Sequence, residues 1–319
     1  MNRIGYIDNA RAICMLWIVG FWHMMSYWNK VLFDDNIIAV FQIITWIFLS
    51  LFTYLSGYFM SRYVFKHKQD VVLFYKRRFK RFYLLYVLSC TTLLLAGISL
   101  HKLGKGSYWF GDGISYLLSL VGLGTFYPNP PSTLWFFSML ISFYLITPLL
   151  RWNKSLVCMG MVSFIALSLM CISLSWGGDL RNIQYFPFYI MGLLNCIKLN
   201  KMGARIPIIC FVGLFLSIII QVKYGFWNNI IIIMLLSLLG LVIVLFLFKV
   251  TQNTQIDKIL FPISFASMNA YLFHRQICGL FKIIIPIEYV SPIFTTIIYL
   301  PVIFLVSFYM QKIYDKFIK

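Results

Sequence analysis

Acidic side chains are scarce: nine Asp and Glu stand against 27 Lys and Arg in 319 residues, and charged residues of either sign make up 11% of the chain. So few charges cannot cover the surface of a water-soluble protein of this length. With 61% hydrophobic residues and a mean hydropathy of +0.85, the composition is that of an integral membrane protein. The seven cysteines are odd in number and form no CxxC pair, so neither a disulfide framework nor a zinc site is expected; they read as small core residues. No internal repeat and no low-complexity tract is present, so the inverted-repeat signature of many secondary transporters is missing. The first apolar run holds Arg11, Trp17, Trp22 and His23 and is followed by no small-residue cleavage pattern, so a cleaved signal peptide is not expected. The stretches between apolar runs are mostly short and leave no room for a soluble domain. The sequence therefore predicts one membrane domain over residues 1–319.

The formal charge of +18 would suggest nucleic acid as the partner of a soluble protein. Here the basic residues sit at the ends of apolar runs, and orientation in the bilayer accounts for them first. Runs of helix-spanning length recur at roughly 9–28, 37–60, 82–100, 134–150, 155–175, 184–198, 204–222, 227–248, 259–284 and 291–311. They predict an all-α, polytopic protein of about ten transmembrane helices with both termini cytoplasmic. Ile114 to Phe126 is apolar but only about 13 residues long and rich in Gly and Ser, which suits a re-entrant or interfacial piece. On this count 20 of the 27 basic residues face the cytoplasm. Counting 114–126 as a further span moves the clusters at Arg151, Lys198 and the C-terminus to the opposite side, against the positive-inside bias.

Several residues in this setting can carry chemistry. His23 lies past the middle of the first span, and an ionisable group at that depth is costly without a role or a partner. It reads either as a neutral imidazole bonded to a neighbouring helix or as a general base that takes a proton from a hydroxyl near neutral pH. Asp8 and Arg11 are three residues apart at the start of the same helix and can share a face. The run "FYKRRFKRFYLLY" serves as a positive-inside anchor, yet Arg78 and Arg81 are spaced i, i+3, so two guanidinium forks can converge on one phosphate. Trp135 reads as an interface or core aromatic or as a lining of a substrate site, and His274 as a substrate contact or a packing residue. His67 and His101 fall in polar connections and read as solvated.

These residues form an ordered set of motifs: Asp8, Arg11 and His23; "LSGYF" with Ser56, Gly57 and Tyr58; "RFKR" with Arg78 and Arg81; "LWFFSMLISFYLITPLL" with Trp135, Tyr144 and Pro148; "FPFYIMG" with Pro187 and Gly192; and "SFASMNAYLFH" with Ser264, Tyr271 and His274. The set resembles the acyltransferase-3 family of membrane O-acyltransferases, which acylate sugars of bacterial surface polysaccharides and related lipids. The resemblance implies transfer of a short acyl group, usually acetyl from acetyl-coenzyme A, to a sugar hydroxyl at a bacterial cytoplasmic (inner) membrane, with no metal. It implies His23 as catalytic base, Arg78 and Arg81 as contacts of the coenzyme A phosphates, and Asp8, Arg11, Trp135 and His274 as binding residues. The expected partners are a sugar or polysaccharide acceptor and membrane lipids, with no nucleic acid, and any glycan export or polymerisation step falls to other proteins. The rival class is a transporter or flippase of a lipid-linked glycan, in which buried polar groups line a path and no thioester is consumed.

Two departures from the family pattern carry predictions. The proline that usually follows the Arg-x-x-Arg pair is replaced around Leu84. The separation of Arg11 and His23 is twelve residues where the family has eleven, which in a regular helix leaves the two side chains about 120° apart. The sequence therefore predicts a π-type widening of the first span between Leu16 and His23, with Gly20 tolerating the distortion.

Overall fold

The computed structural model describes residues 5–23, 34–104, 112–131, 133–197, 203–224, 229–251, 254–284 and 292–318. Residues 24–28 of the first expected span lie outside that set, as do Arg3, Lys30, Lys105, Lys198, Lys201 and Lys319 from the charge partition. The described chain is helical, with no strand among the described residues. In order it forms α1 (Gly5–Trp17) with a π turn (Ile18–Trp22), α2 (Asp35–Met60), and α3 (Lys68–Arg78) leading through a second π turn (Phe79–Tyr83) into α4 (Leu84–Lys102). There follow α5 (Gly113–Leu120), a 3-10 turn (Gly124–Phe126), α6 (Trp135–Leu150), α7 (Leu156–Leu174) and α8 (Arg181–Leu193). The last four are α9 (Arg205–Tyr224), α10 (Ile230–Val250), α11 (Thr254–Ile284) and α12 (Pro292–Ile318).

A helix occupies most of the described part of each of the ten expected stretches; in 184–198 it ends at Leu193. Among the described residues five stretches, Asp35–Met60, Lys68–Lys102, Leu156–Leu174, Ile230–Val250 and Ile297–Phe317, are long and apolar enough to cross a membrane. Trp135–Leu150 and Arg205–Ile219 are apolar but shorter. On α7, Leu156, Val157, Met161, Phe164, Ile165 and Leu169 are all exposed. A helix that turns this much large apolar surface outward belongs in lipid, and the protein is a multi-pass membrane protein. All seven cysteines are free thiols.

The chain packs as two compact units. The first comprises residues 1–59, 187–267 and 291–308, the second residues 60–186, 268–290 and 309–319. In the first unit, Ile43 and Ile47 of α2 and Leu236 of α10 form a buried cluster flanked by Trp46, Leu214 and Ile218. α2 and α8 approach closely where two glycines face each other. A Cβ at Gly57 would lie 2.1 Å from the carbonyl oxygen of Tyr189, and one at Gly192 would lie 2.1 Å from that of Tyr54 and 3.0 Å from the Gly57 Cα. Both glycines come from the motifs "LSGYF" and "FPFYIMG", and their common reason is a backbone-to-backbone crossing that admits no side chain.

In the second unit, the segment after α2 and the α6–α7 turn are tied together. Arg151 donates through Nη2 to the Ser61 carbonyl at 2.7 Å, Asn153 N–H donates to Phe65 O at 3.0 Å, and Phe65 and Trp152 form an isolated bridge. Residues 114–126 divide into α5, a turn at Gly122 with φ +80°, and the 3-10 turn. At about 1.5 Å per residue, the eight residues of α5 reach about 12 Å, far short of a bilayer core of about 30 Å. The chain then comes back alongside itself, with Ser115 Oγ donating to the Pro128 carbonyl at 3.3 Å. Asp112 caps α5, its Oδ1 accepting from Ser115 N–H at 2.6 Å, and that bond holds its carboxyl below the usual range.

Candidate active site

In the first unit, α1 is pinned to the start of α11 by three side-chain bonds. Asn9 Nδ2 donates to Asp257 Oδ1 at 2.6 Å, Ser264 Oγ donates to Asp8 Oδ1 at 3.2 Å, and Arg11 Nη2 donates to Ser267 Oγ at 3.0 Å. Asp257, Ser264 and Ser267 recur at i, i+7 and i+10 and so line one side of α11. Asp8 and Arg11 do share the side of α1 that meets α11. The connection between Ser264 and the opening Asp was present in the sequence only as motif order; Asn9, Asp257 and Ser267 carried no signal there.

Beyond Trp17 the helix widens, and His23 N–H closes the π turn on the Ile18 carbonyl, five residues back. One extra residue in a turn takes back about 100° of winding. The 120° offset expected between Arg11 and His23 thus shrinks to roughly 20°. Nδ1 of His23 is buried. The turn is braced from α2: Trp17 Nε1 donates to Thr45 Oγ1 at 2.9 Å, and the Phe21 ring lies 5.0 Å from that of Phe41. Gly20 stands inside the turn for a reason other than the expected tolerance of distortion. Its φ is not positive, but a Cβ there would meet Leu300 Cδ1 at 2.5 Å, so glycine makes room for α12.

In the second unit, Arg78 is half-buried among three rings, its guanidinium carbon 5.6 Å from the Tyr63 centroid, 5.7 Å from Phe74 and 5.5 Å from Tyr144. Its Nη2 donates to the Tyr63 hydroxyl at 3.4 Å. Arg81 is exposed and lies within the second π turn. In an α-helix residues at i, i+3 stand about 60° apart; the wider turn increases that angle, so the two arginines diverge more than their spacing suggests. The Tyr314 hydroxyl of α12 donates to the Lys80 carbonyl inside this turn. Sequence reasoning missed the turn, although one signal existed. Leu84 N–H donates to Phe79 O to close it, and the proline usual near that place in the family has no N–H to give.

His274 is fully buried. Its Nδ1 lies 2.7 Å from the Tyr271 carbonyl and 3.2 Å from that of Ala270. A carbonyl only accepts, so Nδ1 carries the proton of the neutral ring and Nε2 carries the lone pair. Trp135 is buried with one face under the Arg181 guanidinium at 3.7 Å and with the Tyr185 ring stacked 6.1 Å away. Arg181 is in turn held by Asp179, its Nε donating to Oδ1 at 2.8 Å. The stretch "GGDLRNIQY" that supplies this cluster held no recognised motif. His67 immediately precedes α3, where its N–H and that of Lys66 cap onto Asp70 Oδ2 at 2.9 and 3.0 Å. His101 is exposed in the last turn of α4, not in a connection as expected.

Asp8, Arg11 and His23 thus belong to the first unit, and Arg78, Arg81, Trp135 and His274 to the second. No curated protein and no solved structure matches the chain. The acyltransferase-3 family model, described as an acyltransferase domain, matches residues 4–312. The match runs through α1 with its π turn, both glycines of the α2–α8 crossing and the α11 serines, and the chain belongs to the acyltransferase-3 family.

Proposed function

We propose that the protein is a membrane O-acyltransferase that moves an acetyl or other short acyl group from acyl-coenzyme A to a sugar hydroxyl of a cell-surface polysaccharide or lipid-linked glycan. Family membership supports the acyl transfer. The observation that carries the assignment of the base is the π turn at Ile18–Trp22, which winds His23 back toward the face of Arg11. The imidazole takes the proton of the acceptor hydroxyl as its oxygen attacks the thioester carbonyl. The C–S bond breaks as the ester forms, and the departing thiolate receives the proton. Asp8 and Arg11, held by Ser264 and Ser267, fix the start of the helix that carries the base. Purified protein given acyl-coenzyme A and the glycan acceptor is expected to release free coenzyme A only when both are present. Release that ignores the acceptor overturns the reading.

Arg78 and Arg81 are assigned to the phosphates of the donor. The Tyr63, Phe74 and Tyr144 rings support the Arg78 side chain with its charge retained. Arg78→Lys keeps the charge and loses the fork and the ring stacking, and is expected to cost on the order of 1.5–3 kcal/mol of donor affinity. That corresponds to a rise of roughly 10- to 150-fold in Kd for acyl-coenzyme A. Equal binding by parent and Arg78→Lys in a calorimetric titration reduces the run to a membrane anchor.

The same reading places ten spans in a bacterial inner membrane with both termini in the cytoplasm. The bonds of Arg151 and Asn153 to Ser61 and Phe65 support it, because they keep 61–65 and 151–153 at one level, as does the return of the chain at Pro128 to Ser115 of α5. A reporter fused after Lys154, and another after Lys319, is expected to read cytoplasm. A periplasmic signal at either place excludes the arrangement.

A further inference from the structure

We infer that the first turn of α8 and the segment 112–128 form a subsite for an uncharged pyranose ring, built around Arg181, Asn182, Gln184 and Tyr185. The inference rests on the acyl-transfer reading above and names the acceptor's place in it. Two polar groups carry it. Asn182 Oδ1 is buried and accepts no hydrogen bond, and the Tyr185 hydroxyl, beside the Gln184 amide, is buried with no acceptor for its proton, on residues that are 1% and 0% exposed. Buried polar groups are nearly always bonded, so the two call for a partner that supplies both a donor and an acceptor.

The chemistry of the set selects among ligands. Asn182 already donates from Nδ2 to the Thr125 carbonyl at 3.0 Å, so its Oδ1 needs a donor, whereas the Tyr185 O–H needs an acceptor. A phosphate or carboxylate only accepts and leaves Asn182 unanswered, and an acyl chain answers neither. A sugar hydroxyl does both. Charge points the same way: the Arg181 cation that borders the set is already matched by Asp179, which accepts from Nε at 2.8 Å on both carboxylate oxygens. An anion would find that charge largely spent. Arg181 is 40% exposed at its side chain where Asp179 is 8%, which leaves the guanidinium edge at the mouth of the set. Below it, the Trp135 ring carries the guanidinium on its face and stacks with the Tyr185 ring. The backbone at Thr125 fixes the arrangement, since Thr125 O accepts from both Asp179 N–H at 2.8 Å and the Asn182 amide.

The test uses the full-length protein in phospholipid nanodiscs, free of glycoside detergent. Saturation-transfer NMR is run with methyl glycosides of glucose, galactose, mannose and N-acetylglucosamine, and with methyl glucuronide as the anionic control. The parent is expected to transfer saturation to at least one neutral glycoside and more weakly to the glucuronide. Tyr185→Phe and Gln184→Met keep volume and remove the hydroxyl and the amide beside it. Both are expected to weaken that binding by about fivefold or more; Tyr185→Phe does so without lowering the unfolding temperature, because a buried O–H that lacks an acceptor is removed along with the contact. Absence of signal from every neutral glycoside, preference for the glucuronide, or binding unchanged in both variants overturns the subsite. Release of coenzyme A is measured on the same preparations. Glycoside binding through these residues with no thioester consumed keeps the subsite and removes the acyl-transfer reading; thioester consumption with no glycoside binding does the reverse.

Discussion

His23→Ala is expected to insert and fold like the parent and to lose acyl transfer by a factor of about 10² to 10⁴, the range that a positioned general base contributes. The loss belongs in kcat. The ring is assigned to a proton that moves only during reaction, so the KM for acyl-coenzyme A stays near the parent value. Folding is spared because the half-buried residue follows the π turn instead of building it: the turn closes through the backbone N–H of position 23, which alanine retains. His23→Gln, which keeps a polar side chain of similar size without an imidazole, is expected to behave like alanine. The measurement is initial release of coenzyme A at saturating donor and acceptor. Activity within about threefold of the parent in either variant removes His23 from the base's role and leaves the π turn a structural feature only.

The second large effect concerns stability. Gly192→Ala places a Cβ 2.1 Å from the Tyr54 carbonyl oxygen and 2.7 Å from the Tyr58 nitrogen, and Gly57→Ala places one 2.1 Å from the Tyr189 carbonyl oxygen. These obstacles are main-chain atoms of a neighbouring helix, so no rotamer change relieves them and the helices must part. Overpacking of this kind costs on the order of 1–3 kcal/mol even where side chains can yield, and here they cannot. Gly160→Ala is the control. It lies in α7 with nothing within 4 Å of the added methyl, and in a helix the change to alanine contributes roughly 0.5–1 kcal/mol of stability. Thermal unfolding of the solubilised proteins, followed by tryptophan fluorescence, is expected to put Gly57→Ala and Gly192→Ala well below the parent and Gly160→Ala at or above it. Coincident transitions for Gly192→Ala and Gly160→Ala would mean that α2 and α8 do not cross at these glycines.

The sequence by itself determined the membrane class, the all-helical architecture and the shortness of the helix within 114–126, because each depends on run length and apolar content against a fixed bilayer thickness. It also determined the widening of the first helix. A twelve-residue separation of Arg11 and His23 cannot put both on one face at 100° per residue, so the helix had to change its period, and the turn formed at Ile18–Trp22. What the sequence could not carry is anything set by close approach between distant segments. Gly57 and Gly192 were visible only as motif letters; their meaning is a crossing of two backbones 135 positions apart in the numbering. Gly20 was read as a concession to the π turn, and tertiary packing against Leu300 gives it a different reason. The pairs Asp8 with Ser264 and Arg11 with Ser267, and the Arg181 guanidinium lying over Trp135, were likewise decided by the fold alone. Periodicity along one helix is written in consecutive residues, whereas the partner of a side chain depends on which helices pack together, and no local pattern encodes that choice.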